Sequence, residues 1–215
     1  MVNVMLREDI KEFIKSINEN VNIVAATKYV DSIQMRNLYN AGIHNFGENR
    51  VDSFLTKYEE LKDLNVIWHF IGHLQRNKSK DVIDKIDYLH SLDSLQLAKI
   101  INERRTTPLK CFVEVSINLE ETKNGVDYRE IDEFISKLKE YKNIDIVGLM
   151  MMTVKYSNED ELLQQFSSLN NLREELRIKH NLELPYLSMG MSDDYKQAIE
   201  CGATHIRLGR ILWKI

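Results

Sequence analysis

Asn22-Ile23-Val24-Ala25-Ala26-Thr27-Lys28 is the stretch on which the fold turns. It is short, apolar or small through its middle, and it stops at Thr27-Lys28. Strands buried on both faces of a parallel sheet read this way, without the alternation of a half-exposed strand. The residues after the run matter as much. An open doubly wound sheet would usually place a Gly-rich phosphate turn after its first strand, and none is present here. Neither G-x-G-x-x-G nor G-x-x-x-x-G-K-[ST] occurs anywhere in the chain.

Seven more runs of the same kind come later in the chain: Ile43–Gly47, Val66–Gly72, Asp87–Ser91, Cys111–Ser116, Asp145–Met150, Pro185–Met189 and His205–Gly209. Helical spacing lies between them. Val51, Phe54, Leu55, Tyr58 and Leu61 fall on one face, as do Ile131, Phe134, Ile135 and Leu138, and the leucines from Leu162 to Leu176 with Phe166. Ser32 and Asp93 read as N-caps and Gly42 as a C-terminal stop. Strand and helix repeated in this way predict an α/β protein, a closed (β/α)8 barrel of TIM type. An amphipathic helix carrying Leu6, Ile10, Phe13, Ile14 and Ile17 precedes the first strand. The chain ends too soon after Gly209 for a full eighth helix, and this N-terminal helix is expected to cover part of that gap. Residues 1–215 are expected to form one domain.

Composition narrows the function classes. The 215 residues are 43% hydrophobic and 29% charged, with 8 Gly and 2 Pro, which excludes collagen-like and low-complexity chains. A net charge of −4 gives no basic field for a nucleic acid. Two cysteines, Cys111 and Cys201, make neither a disulfide framework nor a metal site and are expected as buried thiols. The N-terminus has no signal-peptide pattern and no stretch is long and apolar enough to span a membrane. A cytoplasmic protein, with no nucleic-acid or membrane partner, is the expectation.

In such a barrel the C-terminal ends of the strands face the site. Strand one ends in Lys28, whose small apolar neighbours would desolvate the amine and favour attack on an aldehyde. Asn49 follows strand two, where it can line the mouth or cap the next helix. Past strand three, His73 can reach a ligand, whereas His69 reads as a packed strand residue; the pair does not aim at one metal. Met150-Met151-Met152 after strand six offers adaptable pocket wall or barrel packing. Strand seven ends Ser188-Met189-Gly190-Met191-Ser192, with a helix starting at Ser192, and strand eight ends Arg207-Leu208-Gly209-Arg210. Barrels commonly hold phosphate between these two loops, on backbone N–H groups at a helix N-terminus. Ser188 and Ser192 supply hydroxyls there, Gly190 and Gly209 admit close approach, and Asp193 and Asp194 are expected to turn away as first-turn acids. A phosphate at one end, an aldehyde on a lysine at the other, and Arg207 placed for a ring nitrogen together describe pyridoxal 5'-phosphate.

These residues resemble the pyridoxal phosphate homeostasis proteins, which share the barrel domain of alanine racemase. The resemblance rests on Val24–Lys28, Phe46–Arg50, Trp68–Lys78, Gly148–Met150, Ser188–Asp194 and Ile206–Gly209. It implies an alanine racemase N-terminal domain-like barrel with the cofactor held as a Schiff base on Lys28. It also implies phosphate contacts from Ser192 and from the backbone at Gly209 and Arg210, Arg207 near the pyridine nitrogen, and Asn49 in the pocket. Where the family usually has Thr or Ser after the last Gly, this chain has Arg210, whose cation would substitute for a hydroxyl. The tail beyond Trp213 is shorter than usual.

The same residues speak against turnover. Racemisation needs acid–base groups on both faces of the cofactor. The racemases resembled here take the second from a tyrosine in an additional domain, which is not expected in this chain. Tyr29, next to Lys28, would need an unusual turn to face it. Arg207 cannot accept a proton, so a pyridine nitrogen opposite it stays unprotonated and a poor electron sink. The expectation is a monomeric, non-enzymatic protein that buffers or delivers the cofactor to apo-enzymes. An amino-acid racemase and a lysine Schiff-base aldolase are the alternatives.

Overall fold

The structure, a computed structural model, describes residues 5–117 and 124–214. Eight parallel strands close into a barrel: β2 (Asn22–Ala26), β3 (Asn45–Glu48), β4 (Ile67–Phe70), β5 (Tyr88–Leu92), β6 (Leu109–Ser116), β8 (Ile144–Met150), β9 (Tyr186–Ser188) and β10 (His205–Leu208). They run in the order β5-β4-β3-β2-β10-β9-β8-β6, and β6 pairs with β5 to complete the ring. Each falls on one of the eight runs expected from the sequence. Three short strands lie outside that ring: β1 (Met5–Leu6) pairs antiparallel with β11 (Trp213–Lys214), and β7 (Val126–Asp127) adds to β6.

Eight helices among the described residues surround the barrel: α1 (Ile10–Ser16), α2 (Ser32–Ala41), α3 (Val51–Glu60), α4 (Arg76–Ser79), α5 (Leu95–Arg104), α6 (Ile131–Leu138), α7 (Glu159–His180) and α8 (Tyr195–Glu200). The expected stripes of α3 and α6 bury Phe54, Ile131, Phe134, Ile135 and Leu138 against the strands. Caps differ from the expectation by one residue. Asp31, not Ser32, accepts from the Gln34 amide in a capping box, and Ser94, not Asp93, caps α5. Gly42 closes α2 in the left-handed region, as expected.

The N-terminal helix is shorter than its apolar spacing suggests, because Leu6 belongs to β1. Phe13 of α1 packs edge-on against Tyr195 of α8, and β1 lies against α2. These two elements therefore fill the wall between α8 and α2, where an eighth barrel helix would otherwise stand. After β10 only a 3-10 turn, Arg210–Leu212, precedes β11.

Two packing layers result. The larger core lies between strands and helices and includes Phe46, Phe54, Phe70, Leu89, Leu149 and Phe166. Inside the barrel, Phe112, Val147 and Met150 form a smaller cluster, with His69, His90 and His205 buried beside it. Barrel interiors are usually filled by branched aliphatics; this one is largely aromatic and imidazole. Gly148 allows β8 and β9 to meet, since an added Cβ would lie 1.9 Å from the Tyr186 carbonyl oxygen. Cys111 is buried, as expected, but Cys201 is only half-buried. No helix among the described residues is long and apolar enough to cross a membrane.

Candidate functional site at the barrel mouth

Lys28 follows β2 at the C-terminal end of the barrel. Its foundation is a buried cluster that the sequence did not suggest. Lys57, reaching inward from α3, donates to the Thr27 carbonyl at 2.6 Å and to Glu48 Oε1 at 2.6 Å. The Thr27 hydroxyl donates to the same carboxylate at 2.5 Å, and Ser53 donates to its other oxygen at 3.0 Å. Glu48 is thus a fully buried acceptor with three donors. The backbone one residue before Lys28 is pinned as a result. The amine itself is not desolvated, contrary to expectation: Lys28 is exposed and its Nζ lies 4.8 Å from the centre of the Tyr29 ring. Tyr29 does face Lys28, but through its ring, which attracts an ammonium by cation–π interaction.

The loops after β9 and β10 meet through Ser192. Ser192 Oγ accepts from the Gly209 amide at 3.2 Å and from the Ile211 amide at 3.4 Å. Two backbone donors therefore converge on one oxygen, the geometry an anion requires. The helix does not start at Ser192 but at Tyr195. Gly190, at φ 90°, carries the turn, and an added Cβ there would meet the Ala198 Cβ at 2.6 Å. Asp194 does turn away, accepting from the Met191 amide at 2.6 Å and from Thr153 at 2.8 Å. It flanks α8 as its N-cap rather than lying in the first turn. Arg210 is exposed and paired with Asp193.

Arg207 lies between these two features, paired in register with Val24 of β2 and buried. One of its terminal nitrogens, Nη1, donates to the Ser188 carbonyl at 2.8 Å and to Ser188 Oγ at 2.7 Å. The other, Nη2, donates to the Met151 carbonyl at 2.8 Å. Ser188 is consequently a support beneath Arg207, fully buried, and not a phosphate-loop hydroxyl. Burial lowers the guanidinium to about 10, with Glu114 and Asp194 opposing the change. It stays protonated at neutral pH.

Glu114 is a further residue missed from sequence. It lies on β6, halfway around the strand order from β2. Burial pushes its carboxyl up to about 7; Asp93 adds to the effect and Arg207 opposes it. Inside the barrel, burial also holds His69 and His90 well below the ordinary histidine value and lowers His205 to about 4.

The remaining expected site residues divide between the mouth and the core. Asn49 Oδ1 is buried and accepts no hydrogen bond, so an acceptor is left over at the end of β3. Asn49 and His73 line one open pocket with Arg50, Gly72, Gln75 and Lys78. His73 is exposed there, with its Nδ1 3.1 Å from Asp93. Met150 is buried against Phe112 and Val147, so barrel packing takes up its side chain. His69 is a packed strand residue, as expected. Among the described residues, no cluster of His, Cys, Asp and Glu is placed to hold a metal ion.

A parallel barrel with a lysine after its first strand and two backbone amides converging at the loops after its last two defines a class. Residues 5–215 match the family model described as alanine racemase, N-terminal domain, and the chain belongs to that family. Within it, the chain is similar to the pyridoxal phosphate homeostasis protein of Aquifex aeolicus, 41% identical over 89% of this chain and 85% of the relative. It is likewise similar to the protein of that name from Synechocystis, 36% identical over 94% of each chain. Among solved structures, PipY of Synechococcus elongatus without PLP matches with a TM-score of 0.90 at 31% identity, covering 96% of this chain and 99% of that one. The same protein with PLP bound matches with a TM-score of 0.87 at 30% identity, over 95% and 100%. The alanine racemase of Corynebacterium glutamicum, at 16% identity and a TM-score of 0.76 over 96% of this chain and 61% of its own, shares the fold alone.

Proposed function

We propose that this chain binds pyridoxal 5'-phosphate as a Schiff base on Lys28 and works in cofactor homeostasis, buffering it or passing it to apo-enzymes. We take residues 1–215 as one cofactor-binding barrel, monomeric and cytoplasmic, without catalytic turnover of its own. The observation that carries the reading is the adjacency of an amine and an anion turn. Lys28 follows β2 and Gly209 follows β10; the two strands pair, and an added Cβ at Gly209 would lie 3.7 Å from Ala26. The leftover acceptor on Asn49 and the two converging amides at Ser192 match the polar atoms of the group. The names of the relatives and the PLP-bound PipY structure support the same reading.

Bound there, the cofactor supplies an aldehyde to which the Lys28 nitrogen adds with loss of one water. The chain's own residues would do the rest. The Gly209 and Ile211 amides would hold the phosphate once Ser192 rotates its hydroxyl toward it. Arg207, protonated and unable to accept a proton, would keep the ring nitrogen unprotonated, which weakens α-carbanion chemistry. Storage and release are thereby favoured over turnover.

The test is chemical. Protein loaded with pyridoxal phosphate and treated with borohydride should carry its adduct on Lys28, and Lys28→Ala should lose both adduct and absorbance while keeping weak, phosphate-dependent binding. An adduct on another lysine would refute the assignment. Loaded protein should also activate an apo-enzyme at least as well as free cofactor at equal concentration.

Glu114 favours a second reading, amino-acid racemisation. It is a buried carboxyl raised to about 7 on β6, halfway around the ring from the strand before Lys28, and racemisation needs a second acid–base group besides Lys28. D-alanine forming from L-alanine at an enzymatic rate, and stopping in Glu114→Gln, would establish it.

A further inference from the structure

A line of hydrogen bonds crosses the barrel interior and ends on Arg207. Asn45 Oδ1, at the start of β3, is 3.0 Å from His69 Nε2. His69 Nδ1 is 2.8 Å from His90 Nε2, and His90 Nδ1 is 2.7 Å from Ser188 Oγ. Ser188 Oγ in turn accepts from Arg207 Nη1 at 2.7 Å. His69, His90 and Ser188 are all fully buried. The His69 ring is further held by stacking on Tyr88, with centroids 4.6 Å apart and planes 4° from parallel.

We propose that the Asn45–His69–His90–Ser188 chain is a positioning device that aims Arg207 at the ring nitrogen of the bound cofactor. This rests on the pyridoxal phosphate reading above. The two ends of the chain fix its direction. Arg207 can only donate, and Asn45 Oδ1 can only accept. His69 therefore carries its proton on Nε2 and accepts on Nδ1. His90 likewise donates from Nε2 and accepts on Nδ1. That leaves one place for the Ser188 hydroxyl hydrogen, toward His90, and turns an oxygen lone pair toward Arg207. With the Ser188 and Met151 carbonyls, the guanidinium then has three acceptors for three of its five N–H groups. Among the described residues two N–H groups remain uncommitted, Nε–H and one on Nη2, available to a ligand.

The device costs the fold two imidazoles in a buried interior, where a simple packing role would be met by aliphatic side chains. Both ring nitrogens of His69 and of His90 are paired, so the line between Asn45 and Ser188 is unbroken. His69, His90 and Ser188 are positioning residues and touch no cofactor.

Two measurements test this separately from the cofactor assignment. Nitrogen-15 NMR of the protein without cofactor should show both His69 and His90 protonated on Nε2; protonation on Nδ1 would reverse the chain, free the Ser188 hydroxyl and overturn the proposal. In loaded protein, His90→Phe and Ser188→Ala should shift the near-ultraviolet absorption band of the cofactor and weaken its retention roughly tenfold. Ser188→Thr, which keeps the hydroxyl, should restore the band. If His90→Phe does not fold, Asn45→Leu at the far end should give the same shift. An unmoved band and unchanged retention in these variants would overturn the proposal. Failure of the unaltered protein to form any adduct on Lys28 would instead remove the cofactor reading and leave the NMR result standing.

Discussion

Glu114 sets a stability that depends on pH in a definite direction. Its carboxyl is raised from 4.5 to about 7 in the folded protein, so the native state holds a proton that the unfolded chain releases earlier. Its contribution is intact below about 4.5 and declines as pH rises, being lost once pH passes about 7. Glu114→Gln, which cannot ionise, should therefore gain on the parent at pH 8 by up to about 3 kcal/mol, the equivalent of its shift. The gain should fade as pH falls toward 4.5; urea midpoints measured across that range, without cofactor, would check it. Arg207→Glu is the reverse case. In the structure it points a carboxylate at two carbonyl oxygens, so loss of folding should come first, read as a fall in the thermal midpoint. Lys28 and Arg207 could be picked out because strand ends and residue types announce them. Glu114 could not, since Val113-Glu114-Val115 reads as one more buried strand until Arg207 and Asp93 are known to be near it.

Between elements, the joint of β2, β3 and α3 carries a buried ion pair. Lys57 and Glu48 stand 2.6 Å apart with both side chains almost fully enclosed. Removing one partner of such a pair leaves an uncompensated charge, so Lys57→Met or Glu48→Leu alone should each cost about 3 kcal/mol or more. The double variant should recover much of that loss, as a double-mutant cycle on the denaturation midpoint would reveal. Gly148→Ala tests the β8–β9 contact. A methyl group 1.9 Å from the Tyr186 carbonyl oxygen must force the strands apart, at about 3 kcal/mol or more. The strands themselves were legible because eight apolar runs need only local composition. The Lys57–Glu48 pair was not, because it depends on which strand lies beside which helix, and each residue alone looks like surface charge. Helix starts were off by a residue or so at Asp31 and Ser94 because two adjacent polar residues compete for one cap.

For the whole molecule, the imidazole-lined interior predicts acid sensitivity. His69, His90 and His205 are held neutral in the fold by burial, while in the unfolded chain each takes a proton near 6.5. Stability should drop as pH falls below about 6.5, by at most about 4 kcal/mol per pH unit if all three protonate together on unfolding. Glu114 acts in the opposite sense but for one proton only. A urea midpoint that stayed level from pH 7 to pH 5 would contradict this, and His205→Phe should make the slope shallower. The barrel class was legible from strand count and from the missing Gly-rich turn. The content of its interior was not, because inward and outward positions on a doubly buried strand look alike until closure assigns them.

That closure has a consequence for how the molecule is made. Ile23 lies against Ile206, so the ring is sealed between parts of the chain that are almost as far apart as the barrel allows. Contacts of such long range form late, after the entropy of a very large loop has been lost. A nascent polypeptide that has not yet delivered β10 must carry two raw strand margins, on β2 and β9, each able to recruit a stranger. The final strand thus does more than carry Arg207 to the mouth: until it arrives, the half-built cylinder leaves both margins open to pairing.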